Sequence, residues 1–169
     1  RASLLLREPR YRDAAVRAAE WLLAKQRDPR GRWLRTHNRG VSKLNACLDD
    51  HAALAVAFLD LYQATAQRRW LDEAVALVEI LNRQFWDEAE GGYFFTAGDH
   101  EELLVRLKNP SDNAIPSGNA LAAQSLVRLA EITGEKAYAE RAERLFKAFH
   151  TLLDMAPIQV ESMVIALRL

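Results

Sequence analysis

One cysteine, Cys47, stands in 169 residues, which rules out an internal disulfide and a cysteine cage for a metal. So little cysteine fits a reducing compartment, and a cytoplasmic location is expected. Net charge is missing as well. The 23 basic and 23 acidic residues cancel, so no electrostatic footprint for nucleic acid or an anionic membrane is present. Long apolar runs are absent too; the longest, Ala52 to Leu59, is far too short to cross a bilayer. No signal peptide precedes the first helix, and Arg1 in place of Met implies that the native start lies upstream. There is no phosphate loop, nucleophile elbow or HExxH motif, and His37, His100 and His150 fall in no metal-ligand spacing, so neither cofactor nor metal is expected. Glycine and proline, seven and five in number, are confined to connections. What remains is rich in Ala and Leu, the profile of a mainly helical chain, with residues 1–169 expected to form a single helical domain.

Residues Ala2 to Arg7 read as the tail of a helix. Pro9 opens the next one, where Tyr11, Ala15, Ala18 and Leu22 share a face opposite Arg12, Asp13, Arg17 and Glu20. Asp28, Pro29 and Gly31 end it, Trp33 to Thr36 is a short extended piece, and a basic loop runs to Lys43. Leu48 to Thr65 differs in kind: from Ala52 to Tyr62 it is apolar on every side apart from Asp60, the pattern of a helix surrounded by protein. Trp70, Ala74, Leu77 and Leu81 restore one-faced spacing. Tyr93 to Thr96 and Leu103 to Arg106 read as two short strands joined at Gly98-Asp99, one β-hairpin. Ser117 to Thr133 is again apolar nearly all round, Gly134 stops it, and Tyr138, Ala142, Leu145 and Phe149 give the one-faced pattern a third time. A last apolar helix starts at Pro157.

These segments repeat. Tyr11, Trp70 and Tyr138 begin equivalent amphipathic helices at spacings of 59 and 68 residues, while Leu54, Leu61 and Thr65 match Ala122, Leu129 and Thr133. A helix buried all round alternates with one buried on a single face, an alternation that two concentric rings of helices satisfy; a flat helical solenoid uses shorter units, roughly 35 to 45 residues. The expected fold is all-α, a partial α/α toroid of inner and outer helices with one short β-hairpin. The chain holds about two and a half hairpins, so apolar inner surface is expected to be covered by a missing part of the toroid or by a homo-oligomer partner.

In such a ring the inner helices start at one rim. The repeat sets Asp50 opposite Gly118 and His51 opposite Asn119, gathering Asp49, Asp50, His51, Ser117 and Asn119 around one mouth with Asp112 and Asn113. Two carboxylates and an imidazole suffice for acid/base work when burial and neighbours tune them. The same groups also serve as helix caps and turn formers. Arg106 and Lys108 lead into the loop from Lys108 to Asn119, either to hold a substrate or to pair with Glu101, Glu102 and Asp112. Trp33, Trp86, Tyr93, Phe94 and Phe95 offer flat faces to sugar rings or plug the hairpin against the helices.

The strings LDDHAALAVAFLDLYQAT, RWLDEAVAL, FWDEAEGGYFFT, EELLVRLK and DNAIPSGNALAAQSLVRLA, in that order, resemble the C-terminal helical part of the thioredoxin-domain-containing, spermatogenesis-associated family. That resemblance covers nearly the whole chain. It implies an α/α toroid of the six-hairpin glycosidase class, akin to N-acylglucosamine 2-epimerases, which longer members precede with a thioredoxin-like domain. The family usually has Tyr and Pro where this chain has His51 and Leu107. Two functions follow from it. One is a carbohydrate-processing domain, epimerase-like or glycosidase-like, with Asp50 and Asp112 as acid/base groups, Asn113, Ser117 and Asn119 on substrate hydroxyls, Arg106 and Lys108 orienting, and a small-molecule carbohydrate as partner. The other is a non-catalytic helical scaffold that docks a thioredoxin-like module.

Overall fold

The computed structural model describes residues 2–100 and 104–169. In chain order the elements are α1 (Ala2–Leu5), α2 (Pro9–Lys25), β1 (Leu34–Asn38), β2 (Val41–Asn45), α3 (Leu48–Thr65), α4 (Arg68–Gln84), α5 (Gly118–Thr133), α6 (Lys136–Ala148), α7 (His150–Met155), a 3-10 turn (Pro157–Val160) and α8 (Glu161–Leu167). Helix α3 packs on α4 and α5, and α5 packs on α6 and α8. Inner α3, α5 and α8 therefore alternate in sequence with outer α2, α4 and α6, as the burial periodicity predicts. Among the described residues no helix is long and apolar enough to cross a membrane.

The repeat is visible at atomic detail where the inner helices end. Thr65 and Thr133 each donate a hydroxyl hydrogen bond to the carbonyl four residues back, at 2.7 Å, and each hydroxyl then accepts the amide two residues on. Left-handed Ala66 and Gly134 turn the chain outward (φ 56° and 73°). Trp70 and Tyr138, equivalent in sequence, are both buried at the start of their outer helices. Phe58 stacks on Trp70 with centroids 5.7 Å apart, and Leu77, Leu81, Leu126 and Leu129 continue that core.

Tyr11 breaks the symmetry: it begins α2 but stays exposed, and only Ala19 of α2 is fully buried. The predicted face of α2, with Tyr11, Ala15, Ala18 and Leu22, instead lines an open groove of about 450 Å³ against Leu54, Ala57, Phe58 and Leu61 of α3. Ala53 and Ala57 are exposed, so α3 is not enclosed all round as α5 nearly is.

Among the described residues a single hairpin forms, but not where the strand signals place it. It pairs β1 with β2, antiparallel, in the register Leu34↔Asn45, Thr36↔Lys43, His37↔Ser42 and Asn38↔Val41. Its two-residue turn, Arg39-Gly40, has positive φ at both positions (49° and 79°), the twist that a tight hairpin needs. Tyr93 to Thr96 is not a strand. Its backbone is satisfied by helix ends and loops: Phe94 N–H donates to Phe85 C=O, Phe95 N–H to Leu107 C=O, and Phe95 C=O accepts from Leu48 N–H. Of the second expected strand, Val105 and Arg106 are irregular and Leu103 lies outside the described residues.

Candidate functional site at the rim of the inner helices

The starts of α3 and α5 touch. A Cβ on Gly118 would lie 2.7 Å from Leu48 Cγ and 3.1 Å from the Asp49 amide, so only glycine admits this approach. Asp112 then draws in α8. One carboxylate oxygen accepts the Ser117 amide at 2.8 Å and the other accepts the Ser162 amide at 2.7 Å, in the first turn of α8. A carboxylate between two helix starts meets unpaired N–H groups and the positive ends of two dipoles. All three inner helices thus begin at one rim, as the repeat requires.

The expected site residues fall into two sets. On the α5 side the polar groups are engaged with backbone. Asn119 is fully buried; its Oδ1 accepts the Tyr93 amide (2.8 Å) and its Nδ2 donates to the carbonyls of Tyr93 (3.0 Å) and Asn109 (3.3 Å). Ser117 caps α5 by accepting the Ala120 amide. Both oxygens of Asp112 are taken. Asn113 is exposed and, among the described residues, its side chain accepts only the amide of Ala114. Arg106 donates to the carbonyls of Gln84 and Thr96 and lies 4.1 Å from the centroid of Phe94. Lys108 pairs not with Asp112 but with Asp87 (2.7 Å) and Glu90 (3.2 Å), and also donates to Gly91 C=O. Although burial works against its charge, those carboxylates hold the ammonium above its ordinary value, and the Lys108 hydrogen bond holds Asp87 below its own. Glu101 and Glu102, the other suggested partners, lie outside the described residues.

The α3 side is organised around a residue that sequence reasoning missed. Arg35, on β1, donates to Asp49 (3.0 and 3.2 Å) and to Asp50 (2.8 Å), bracing both carboxylates with one guanidinium. Its pKa rises, first through the Asp49 hydrogen bond. Asp50 also accepts the Cys47 amide at 2.8 Å, closing the α3 N-terminus. Burial pushes the Asp50 carboxyl up, and neither that amide nor Arg35 restores its ordinary value. An oxygen of each aspartate and the Cys47 sulfur all lie within 4.8 Å of one another, but the guanidinium already occupies the carboxylates and burial pushes the thiol up, away from the thiolate a metal needs. Beside Asp49 opens a groove of about 130 Å³, lined also by Phe95, Asn109, Ser111, Asn113 and Pro116, with the Phe95 ring 5.8 Å from Arg35. His51 turns away from that groove; its Nδ1 donates to Cys47 C=O at 2.8 Å, its ring packs on Phe85, and burial pushes its pKa down. Arg35 could have been found from sequence only by recognising Asn38-Arg39-Gly40 as a turn, since the hairpin it closes is what brings Arg35 to the rim.

Inner helices that start together at a polar rim, wrapped by outer helices, define an α/α toroid of the glycosidase-like class. Residues 6–155 match the profile of glycosyl hydrolase family 76, and the chain belongs to that family. It is 36% identical over 121 residues to spermatogenesis-associated protein 20 of Rattus norvegicus, covering 71% of this chain and 15% of that protein. It is also 31% identical over 168 residues to an uncharacterised Caenorhabditis elegans protein, covering 95% and 23%. The similarity to the spermatogenesis-associated family that the motifs imply therefore holds, and the chain spans less than a quarter of either relative. Two solved structures share the fold. A family 76 mannosidase of Bacteroides thetaiotaomicron superposes with TM-score 0.68 at 19% identity, over 86% of this chain and 39% of that one. Cellobiose 2-epimerase of Spirochaeta thermophila gives 0.69 at 23% identity, over 90% and 40%.

Proposed function

We propose that the rim at the start of α3 is one wall of a carbohydrate-processing site, with Asp50 as the proton carrier. The observation that carries this reading is the Asp49–Asp50 pair: two carboxylates braced by one guanidinium, Asp50 pushed up by burial and Asp49 on the wall of a groove with an aromatic face. A glycosidase that forms a covalent intermediate needs two carboxyls roughly 5 Å apart, and Asp49 and Asp50 are held near one another by the same Arg35 nitrogen, at 3.0 and 2.8 Å. Asp50 would give its proton to the glycosidic oxygen as Asp49 attacks the anomeric carbon and the leaving sugar departs as an alcohol. Water, losing a proton to Asp50, would then release the second sugar and free Asp49. Phe95 offers a stacking face, and Asn113 and Ser111 offer hydrogen bonds to hydroxyls. Asp112, with both oxygens on backbone amides, shapes the loop, and Ser117 and Asn119 hold it; Arg106 and Lys108 support the same wall. Names of the structural neighbours make mannosides and cellobiose the first ligands to try.

A thermal-shift screen with manno-oligosaccharides and cellobiose, on this chain and on a polypeptide that extends it to the length of its relatives, tests the proposal. A ligand at about 100 times its dissociation constant contributes about 2.7 kcal/mol. Stabilisation that Asp50→Ala and Asp49→Ala abolish supports a sugar site; no stabilisation of either folded protein moves the balance to the second reading. That reading, a non-catalytic scaffold that docks another module, draws on the open apolar groove between α2 and α3.

A further inference from the structure

Asp49 faces the rim groove, whereas His51, two residues on, faces a separate cavity of about 300 Å³ on the other side of the first turn of α3. Three arginines line that cavity: Arg30 and Arg32 from the turn after α2, and Arg83 from the last turn of α4. Trp33, almost wholly buried, and Ile80 make its apolar wall, and Gln84 adds an amide. Asp99 holds Arg32 with two hydrogen bonds (2.8 and 2.7 Å), which fix the plane of the guanidinium and use two of its five donors. Among the described residues, no acceptor engages the guanidinium of Arg30 or of Arg83. Asp28, the other acid of this turn, accepts the amides of Arg30 and Arg32 on one carboxylate oxygen.

We propose that this cavity binds the phosphate group of a small organic molecule. Among the described residues, three guanidiniums outnumber the neighbouring side-chain carboxylates of Asp99 and Asp28, leaving an excess of positive charge that an anion neutralises. Guanidinium donors match phosphate oxygens in pairs, and they lose less hydration than an ammonium does on pairing. The volume exceeds that of a phosphate alone and sits at the lower end for small-molecule pockets, so the Trp33 and Ile80 wall takes the organic part. This site is independent of the sugar reading of the rim, because none of its three arginines touches Asp49 or Asp50.

Titration calorimetry with inorganic phosphate, at ionic strength held constant with chloride, tests the assignment, alongside the ring resonances of His51 followed by NMR. Saturable binding is expected, with movement of the His51 resonances. Arg83→Ala and Arg30→Ala should each weaken binding by about tenfold or more, the equivalent of one charge-assisted hydrogen bond. Both residues are exposed, so the variants should melt with the parent and a loss of binding will not reflect unfolding. Absence of saturable binding by the folded parent, or binding that survives both substitutions, overturns the proposal.

Discussion

The starts of α3 and α5 are equivalent in the repeat yet differ in what their polar side chains do. At α5, Asn119, Ser117 and Asp112 spend their hydrogen-bonding capacity on backbone amides and carbonyls, and Asn119 is fully enclosed. At α3, Asp49 and Asp50 share a side chain, Arg35, and remain partly open to solvent, although Asp50 also accepts the Cys47 amide. A carboxylate tied to two backbone amides cannot release them without undoing a loop. One tied to a guanidinium can exchange partners with a ligand. The α5 end is therefore the fixed half of the rim, and the α3 end is the half whose side-chain partners can exchange.

This contrast can be broken most forcefully at Asn119. Asn119→Ala strands the amide and carbonyl of Tyr93 away from water and should cost about 3 kcal/mol in urea unfolding. Gly118→Ala drives a methyl into Leu48 and should cost about 1 to 3 kcal/mol by the same measurement, with little change in the slope of the transition. Asp112→Ala leaves two helix-start amides without their acceptor and should cost about 2 kcal/mol. By contrast, Asp50→Asn keeps a capping side chain and should change stability by less than about 1 kcal/mol. If it costs as much as Asn119→Ala, the two halves are not different in kind.

The smallest effect, a sign, sharpens the comparison further. Asp87 lies below its ordinary value, so its contribution to stability is complete above the ordinary carboxylate range and fades as pH falls through the lower folded value. Asp50 lies above its ordinary value, so its contribution is complete at low pH and fades as pH rises through the higher folded value. Stability measured from pH 7 to pH 3 should therefore flatten in Asp87→Asn and steepen in Asp50→Asn.

Much of the fold was legible because helices are local. Pro9 at a helix start, Ser117 as a cap, Gly134 as a stop and the matching Thr65 and Thr133 each act within a turn or two of their own position. The β-hairpin was misplaced for a physical reason. Tyr93 to Thr96 has strand-like residues, but helix ends and the loop at Leu107 took its backbone bonds. The real turn uses Arg39, which carries no turn signal of its own and is held at positive φ by the pairing of β1 with β2. Arg35, and with it the braced aspartate pair, was lost along with that hairpin. The pairing of Lys108 with Asp87, 21 residues away, was likewise beyond any local pattern.

By itself the sequence determined an alternation of enclosed and one-faced helices, and hence a ring whose inner helices start together, because burial period and capping are written within a few residues. Tertiary structure alone decided which rim side chains are occupied and which remain available. A hydrogen-bond donor takes whichever acceptor the folded chain brings within about 3 Å, and at this rim those acceptors come from segments as much as 50 residues apart.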